Sequence, residues 1–94
     1  MKKTAELGSV LKKLLRDLHI EKKVYQNQAL LVWNEVVGEK ISKISHAESV
    51  ENGILFVHVE NPSWRTELSY LKRDIINRLN NRIGMNIITD IILK

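Results

Sequence analysis

Ninety-four residues, 44% apolar and 28% charged with a single proline, supply one hydrophobic core and no second, so residues 1–94 are expected to fold as a single domain. The absence of cysteine excludes disulfides, thiolate nucleophiles and cysteine zinc sites, and no apolar run approaches membrane-spanning length. The net charge of +4 is uneven, with basic segments at 1–23 and 63–94 flanking an acidic middle, a pattern that suits nucleic acid or an acidic protein partner and is shared by solvated lysine faces. Lys12, Lys13 and Arg16 interrupt the apolar residues near the N-terminus, so no signal peptide is read there and the cytoplasm is the expected compartment.

Over residues 5–19, Leu7, Val10, Leu11, Leu14, Leu15 and Leu18 recur every three or four positions. That spacing predicts an amphipathic helix, with Lys12, Lys13 and Arg16 on the side opposite the leucines. A second helix is predicted from Tyr25 to Ile44 on Leu30, Leu31, Trp33, Val36, Val37, Ile41 and Ile44. Gly38 weakens it by roughly 1 kcal/mol relative to alanine, which a bend or a close approach of helix to sheet would explain. Residues 45–60 change to a period of two, with Asn52-Gly53 between the halves as a hairpin turn. Leu55, Val57 and Val59 then share one face of the second strand. Ile54, Phe56, His58 and Glu60 share the other, which a sheet covered on one side leaves partly wet.

Asn61 is placed to cap a helix and Pro62 to open it. That helix carries Trp64, Leu68, Leu71, Ile75 and Leu79 and ends near Arg82 and Ile83, with Gly84 as its stop. The β-branched "NIITDIIL", residues 86–93, reads as a third strand. The class is therefore α+β, in the order α-α-β-β-α-β. A βαβ crossover sets the last strand parallel to the second, and the helices share one face of a three-stranded sheet.

Residues able to do covalent or acid–base chemistry do not gather in this order. His19, His46 and His58 have neither metal-ligand spacing nor an acidic partner in a motif. Glu48, Glu51 and Glu60 flank the hairpin, where carboxylates serve solvation and edge protection. Gly8, Gly38, Gly53 and Gly84 are too dispersed to cradle a phosphate. No enzyme, cofactor or small-molecule substrate is expected; the domain should act by binding.

Residues 30–93 carry a distinctive combination: Trp33, Val36, Val37 and Gly38, then His46 at the helix-to-strand junction, Gly53 in the turn, Leu55, and Trp64, Leu68, Leu71, Leu79 and Asn80 along the last helix. In this spacing the chain resembles the DciA family, bacterial proteins that load or operate the replicative DNA helicase. The resemblance implies a KH-like domain, which agrees with the element order read from the residues. One departure is that nucleic-acid-binding KH domains clamp a backbone with a GxxG loop, which this sequence lacks. Longer relatives carry a disordered basic tail after the domain. The sequence stops at Lys94, so DNA binding by such a tail is not carried over.

Two functions of different classes follow. One is a module that engages the replicative DNA helicase and also touches single- or double-stranded DNA. The other is a stand-alone nucleic-acid-binding domain using Lys12, Lys13, Arg16, Lys22, Lys23, Arg73, Arg78 and Arg82. For the partner surface the candidates are Trp64, Arg65 and Phe56. Trp64 heads the apolar stripe of its helix and so points to the core, yet it stands in the first turn beside Arg65, the pairing favoured at interface hot spots. A dual role is expected, with one ring edge packed and the other presented.

Overall fold

The computed structural model describes the backbone of residues 2–94 and the side chains of residues 8–18 and 20–94. The elements are α1 (Lys2–Val37), α2 (Glu39–Ser42), β1 (Ser45–Glu51), β2 (Ile54–Val59), α3 (Pro62–Ile83) and β3 (Asp90–Leu93), in the order anticipated. The division between the first two helices lies elsewhere than the periodicity suggests. α1 runs unbroken through residues 19–25, because that stretch holds neither glycine nor proline and its Glu21, Lys22 and Lys23 are good helix formers. The break falls at Gly38, at φ 88° and ψ 169°, where a β-carbon is not tolerated. No atom lies within 4 Å of where that carbon would sit, so the glycine serves the bend and not a close approach.

The sheet order is β1-β2-β3. β1 and β2 pair antiparallel from Ser45↔Val59 to Glu51↔Ile54, and β2 and β3 pair parallel from Ile54↔Asp90 to Val57↔Leu93. Asn52 (φ 52°) and Gly53 (φ 82°) both take positive φ in the hairpin turn, as the two-residue turn that matches strand twist requires. A β-carbon on Gly53 would meet Thr89 Oγ1 at 3.0 Å and the Ile87 carbonyl oxygen at 3.1 Å. The register shifts by one residue between Ala47 and Ser49, which makes Glu48 a bulge on an edge strand and discourages pairing with another chain.

The third strand is shorter than the β-branched run at 86–93. Ile87 and Ile88 are buried, but their backbone is held by a side chain instead of a strand. Asn80 Oδ1 accepts from the N–H of Ile87 (3.1 Å) and of Ile88 (2.8 Å), while its Nδ2 donates to the Ile88 carbonyl (2.9 Å). Thr89 N–H then donates to the Gly53 carbonyl at 2.8 Å, which pins the segment to the hairpin turn.

Asn61 Oδ1 caps α3 by accepting from the N–H groups of Ser63 (2.8 Å) and Trp64 (3.3 Å), with Pro62 at its start. Gly84, at φ 90°, ends it. The core gathers Leu55, Val57 and Val59 from β2, Ala29 and Trp33 from α1, Leu68, Ile75 and Leu79 from α3, and Ile87, Ile88 and Ile91. Both long helices therefore lie on one face of the sheet. On the other face Ile54 and Phe56 are half-buried while His58 and Ile92 are exposed. Among the described residues no helix is long and apolar enough to cross a membrane.

Candidate interaction surfaces

α1 is too long for the sheet it packs on. At about 3.3 Å per residue the six residues of β2 span roughly 20 Å, enough to back about 13 residues of helix at 1.5 Å each. Tyr25 is the first described residue of α1 that is more covered than exposed, and the hairpin tip meets the helix there, lining a cleft of about 590 Å³ with Lys22, Lys23, Gln26, Asn27, Val50, Glu51 and Asn52. Residues 8–20 overhang. Val10, Leu11, Leu14, Leu15 and Leu18 are each between 52% and 64% exposed. A second apolar row, Ile20, Val24 and Leu31, runs along the back of the helix, Leu31 being 83% exposed. Sequence reasoning finds the leucine stripe but not its bareness; comparing helix length with strand length would have found it.

The eight basic candidates fall into two groups. Lys12, Lys13, Arg16, Lys22 and Lys23 project from α1, all exposed and none in an ion pair among the described residues. Helical geometry puts Lys12, Lys13, Arg16 and Lys23 on the side away from the leucines and turns Lys22 toward the hairpin. Arg73, Arg78 and Arg82 project from α3, and two of them are engaged. Arg78 Nε lies 3.0 Å from Asp74 Oδ2, and Arg82 Nε lies 3.1 Å from Glu35 Oε2, tying α3 to α1. Arg73 lines a cleft of about 440 Å³ with Lys72, Ile76, Asn77, Thr89 and Asp90.

The two tryptophans divide their duties. Trp33 is 1% exposed, and its Nε1 donates to Ser45 Oγ at 3.0 Å, which in turn donates to the Ile41 carbonyl at 2.7 Å. It locks α1, the end of α2 and the start of β1 together. Trp64 is half-buried against the core cluster, and Lys40 Nζ stands 5.4 Å from its ring centroid. Arg65 beside it is half-buried too. Phe56 lies on the opposite face of the sheet, so the structure does not bring these three candidates together. Lys94 Nζ covers its ring at 5.5 Å and also lies 3.7 Å from Glu48 Oε2. Both aromatic candidates thus carry an ammonium on the ring, an attraction worth about 0.5–1 kcal/mol at exposed sites.

His46 and His58 stand directly opposite each other on β1 and β2, both exposed. The side chain of His19 lies outside the described residues. No group of three or more histidine or carboxylate side chains able to hold a metal ion occurs among the described residues.

Comparison with known proteins locates this arrangement. The family model described as "Dna[CI] antecedent, DciA" matches residues 6–93. A UPF0232 protein of Corynebacterium glutamicum is 31% identical over 85 residues, which cover 90% of this chain and 48% of that protein. UPF0232 proteins of Mycobacterium tuberculosis and Mycobacterium ulcerans are 22% identical over 82 residues and 26% identical over 85, covering 44% and 46% of their own lengths. The chain spans about half the length of these relatives.

Proposed function

The chain belongs to the DciA family, and from that premise we propose that it is a non-enzymatic module that binds the bacterial replicative DNA helicase in the cytoplasm and assists its loading. The observation that supports this reading is the reach of the family match: residues 6–93 take in nearly all of α1, the whole sheet and α3, so the likeness extends over all the elements and is not confined to a shared motif. With its glycines dispersed, the chain has no phosphate-cradling loop, and its effect on the helicase comes from binding energy alone. A ligand shifts a conformational equilibrium only by its difference in affinity for the two states, so the module binds the loading-competent helicase more tightly than the resting one.

The contact is assigned to Trp64 and Arg65, whose partial burial leaves a rigid, amphipathic edge at the start of α3. Phe56 with Lys94 is a second point on the far side of the sheet, reached by the same partner only if it wraps the domain. A loading assay on circular single-stranded DNA, followed as displacement of an annealed oligonucleotide by the helicase, tests the reading. Displacement should accelerate on adding the chain, and less with Trp64→Ala. No acceleration by the wild-type chain would remove the proposal.

DNA contact is assigned to α1 more than to α3. Its five basic side chains are exposed and lack carboxylate partners among the described residues, whereas Arg78 and Arg82 are already paired. Five phosphates neutralised would give a slope of log affinity on log salt of about −3.5 for single strands to −4.5 for duplex. As a stand-alone function this would leave the family relationship without a role, so DNA binding is placed beside helicase binding and not in its stead.

A further inference from the structure

We infer that the cleft between α1 and the hairpin tip seats one unpaired base of a single DNA strand, with the phosphates beside that base on Lys22 and Lys23, an extension that rests on the assignment of DNA contact to α1. Gln26 points to it. Two side-chain amides are buried among the described residues, Asn80 at 8% exposure and Gln26 at 7%. Asn80 makes three hydrogen bonds. The Gln26 amide makes none among the described residues. Among those residues no side-chain nitrogen or oxygen sealed from solvent lacks a partner, so this amide reaches open space, and the space Gln26 lines is the cleft of about 590 Å³. Buried polar groups are otherwise almost always paired, which makes a nearly buried amide left free inside a cleft a group available to a ligand.

The rest of the lining selects the ligand. A carboxamide presents a donor and an acceptor side by side, the pattern that pairs bidentately with a base edge such as adenine N6 and N7. Lys22, one helical turn before Gln26 on the same face, and Lys23 are exposed cations without an ion pair among the described residues, and phosphate is what such cations neutralise. From the hairpin side come Glu51 and Asn52. A carboxylate there repels a bare phosphate but accepts from a base amino group, as glutamate does from cytosine N4, so the cleft has a phosphate side and a base side. Val50, half-buried in the same lining, offers an apolar patch to the face of the ring. The volume falls in the range of about 300–1,000 Å³ that holds small ligands. A duplex keeps its bases stacked between two backbones, so a base enters such a cleft only from a single strand or after being flipped out at a cost in stacking.

Fluorescence anisotropy of the whole chain with three labelled oligonucleotides of equal length tests this: a single strand, an abasic strand carrying the same phosphates, and a duplex. The single strand should bind about tenfold tighter than the abasic one, as one good bidentate contact dictates. Gln26→Met keeps the length of the side chain without its amide. It should lose that tenfold on the single strand, leave the abasic and duplex affinities and the salt slope unchanged, and hold or raise the thermal midpoint, because it removes a nearly buried amide without a partner. Asn52→Gly, which suits the positive φ of 52° at that position, should weaken the same complex and serves as the second variant if Gln26→Met does not fold. Equal affinity for the base-bearing and abasic strands, or a single-strand affinity that neither variant changes, would overturn the inference while leaving DNA contact by α1 standing. No binding of any of the three oligonucleotides would remove both.

Discussion

Asn80 shows what one residue can do where a strand is missing. Its amide makes three hydrogen bonds to the backbone of Ile87 and Ile88 at 8% exposure, so Asn80→Ala leaves the Ile88 N–H and carbonyl buried without partners, while the Ile87 N–H keeps the Met85 carbonyl at 3.0 Å. Each such group costs about 1–3 kcal/mol; the variant should lose at least about 2 kcal/mol in chemical denaturation, and the amide of Ile88 should exchange faster than those of β2. Asn80→Asp, which keeps an acceptor for the two N–H groups, should lose less. The tryptophans make a second contrast. Trp33→Ala opens a cavity in the core and strips Ser45 Oγ of its donor, for a cost of about 3–5 kcal/mol. Trp64 is only half covered, so Trp64→Ala should cost clearly less in the same denaturation experiment while weakening helicase binding by about 2 kcal/mol. If Trp64→Ala unfolds the domain as readily as Trp33→Ala does, Trp64 is a second anchor and its interface role fails.

At the scale of elements, α1 carries a basic face and an apolar face, and each can be changed without the other. The triple variant Lys12→Glu, Lys13→Glu, Arg16→Glu alters exposed positions on the overhang, so its thermal midpoint should match the wild type. Its DNA affinity should fall and its salt slope flatten by about three phosphates' worth, roughly 2 to 3. An unaltered slope would move the DNA surface to α3 and Arg73. Gly38 governs how α1 turns into α2 and β1. Replacing it by alanine forces a side chain into a backbone region costing about 1–3 kcal/mol, with no compensating contact in the open space around it. A calorimetric midpoint unchanged by Gly38→Ala would mean that the chain relaxes the bend at no cost.

For the whole molecule, local chemistry was largely legible in the sequence and reach was not. The Asn52-Gly53 turn, the Asn61-Pro62 start and Gly84 stop of α3, and the inward face of Leu55, Val57 and Val59 all rest on backbone or pleat geometry that single residues declare. The unbroken run of α1, the shortening of β3 and the bareness of Val10 to Leu18 do not, because each depends on which elements meet in space. Periodicity marks a face as apolar without saying whether anything covers it, and the β-branched residues at 87–89 carry strand propensity that the Asn80 side chain overrides. The candidate site follows the same division: the sequence names Trp64, Arg65 and Phe56 and its strand alternation already sets Phe56 on the face away from the helices, whereas the ammonium groups of Lys40 and Lys94 over the two rings come only from the fold. The most direct test of the account is an equilibrium titration of the labelled domain with the replicative helicase of the same bacterium at physiological salt. Saturable binding at micromolar concentration or below, about −8 kcal/mol or stronger, and weakened by Trp64→Ala, is the expected result. No detectable binding at tens of micromolar by a folded domain would contradict it.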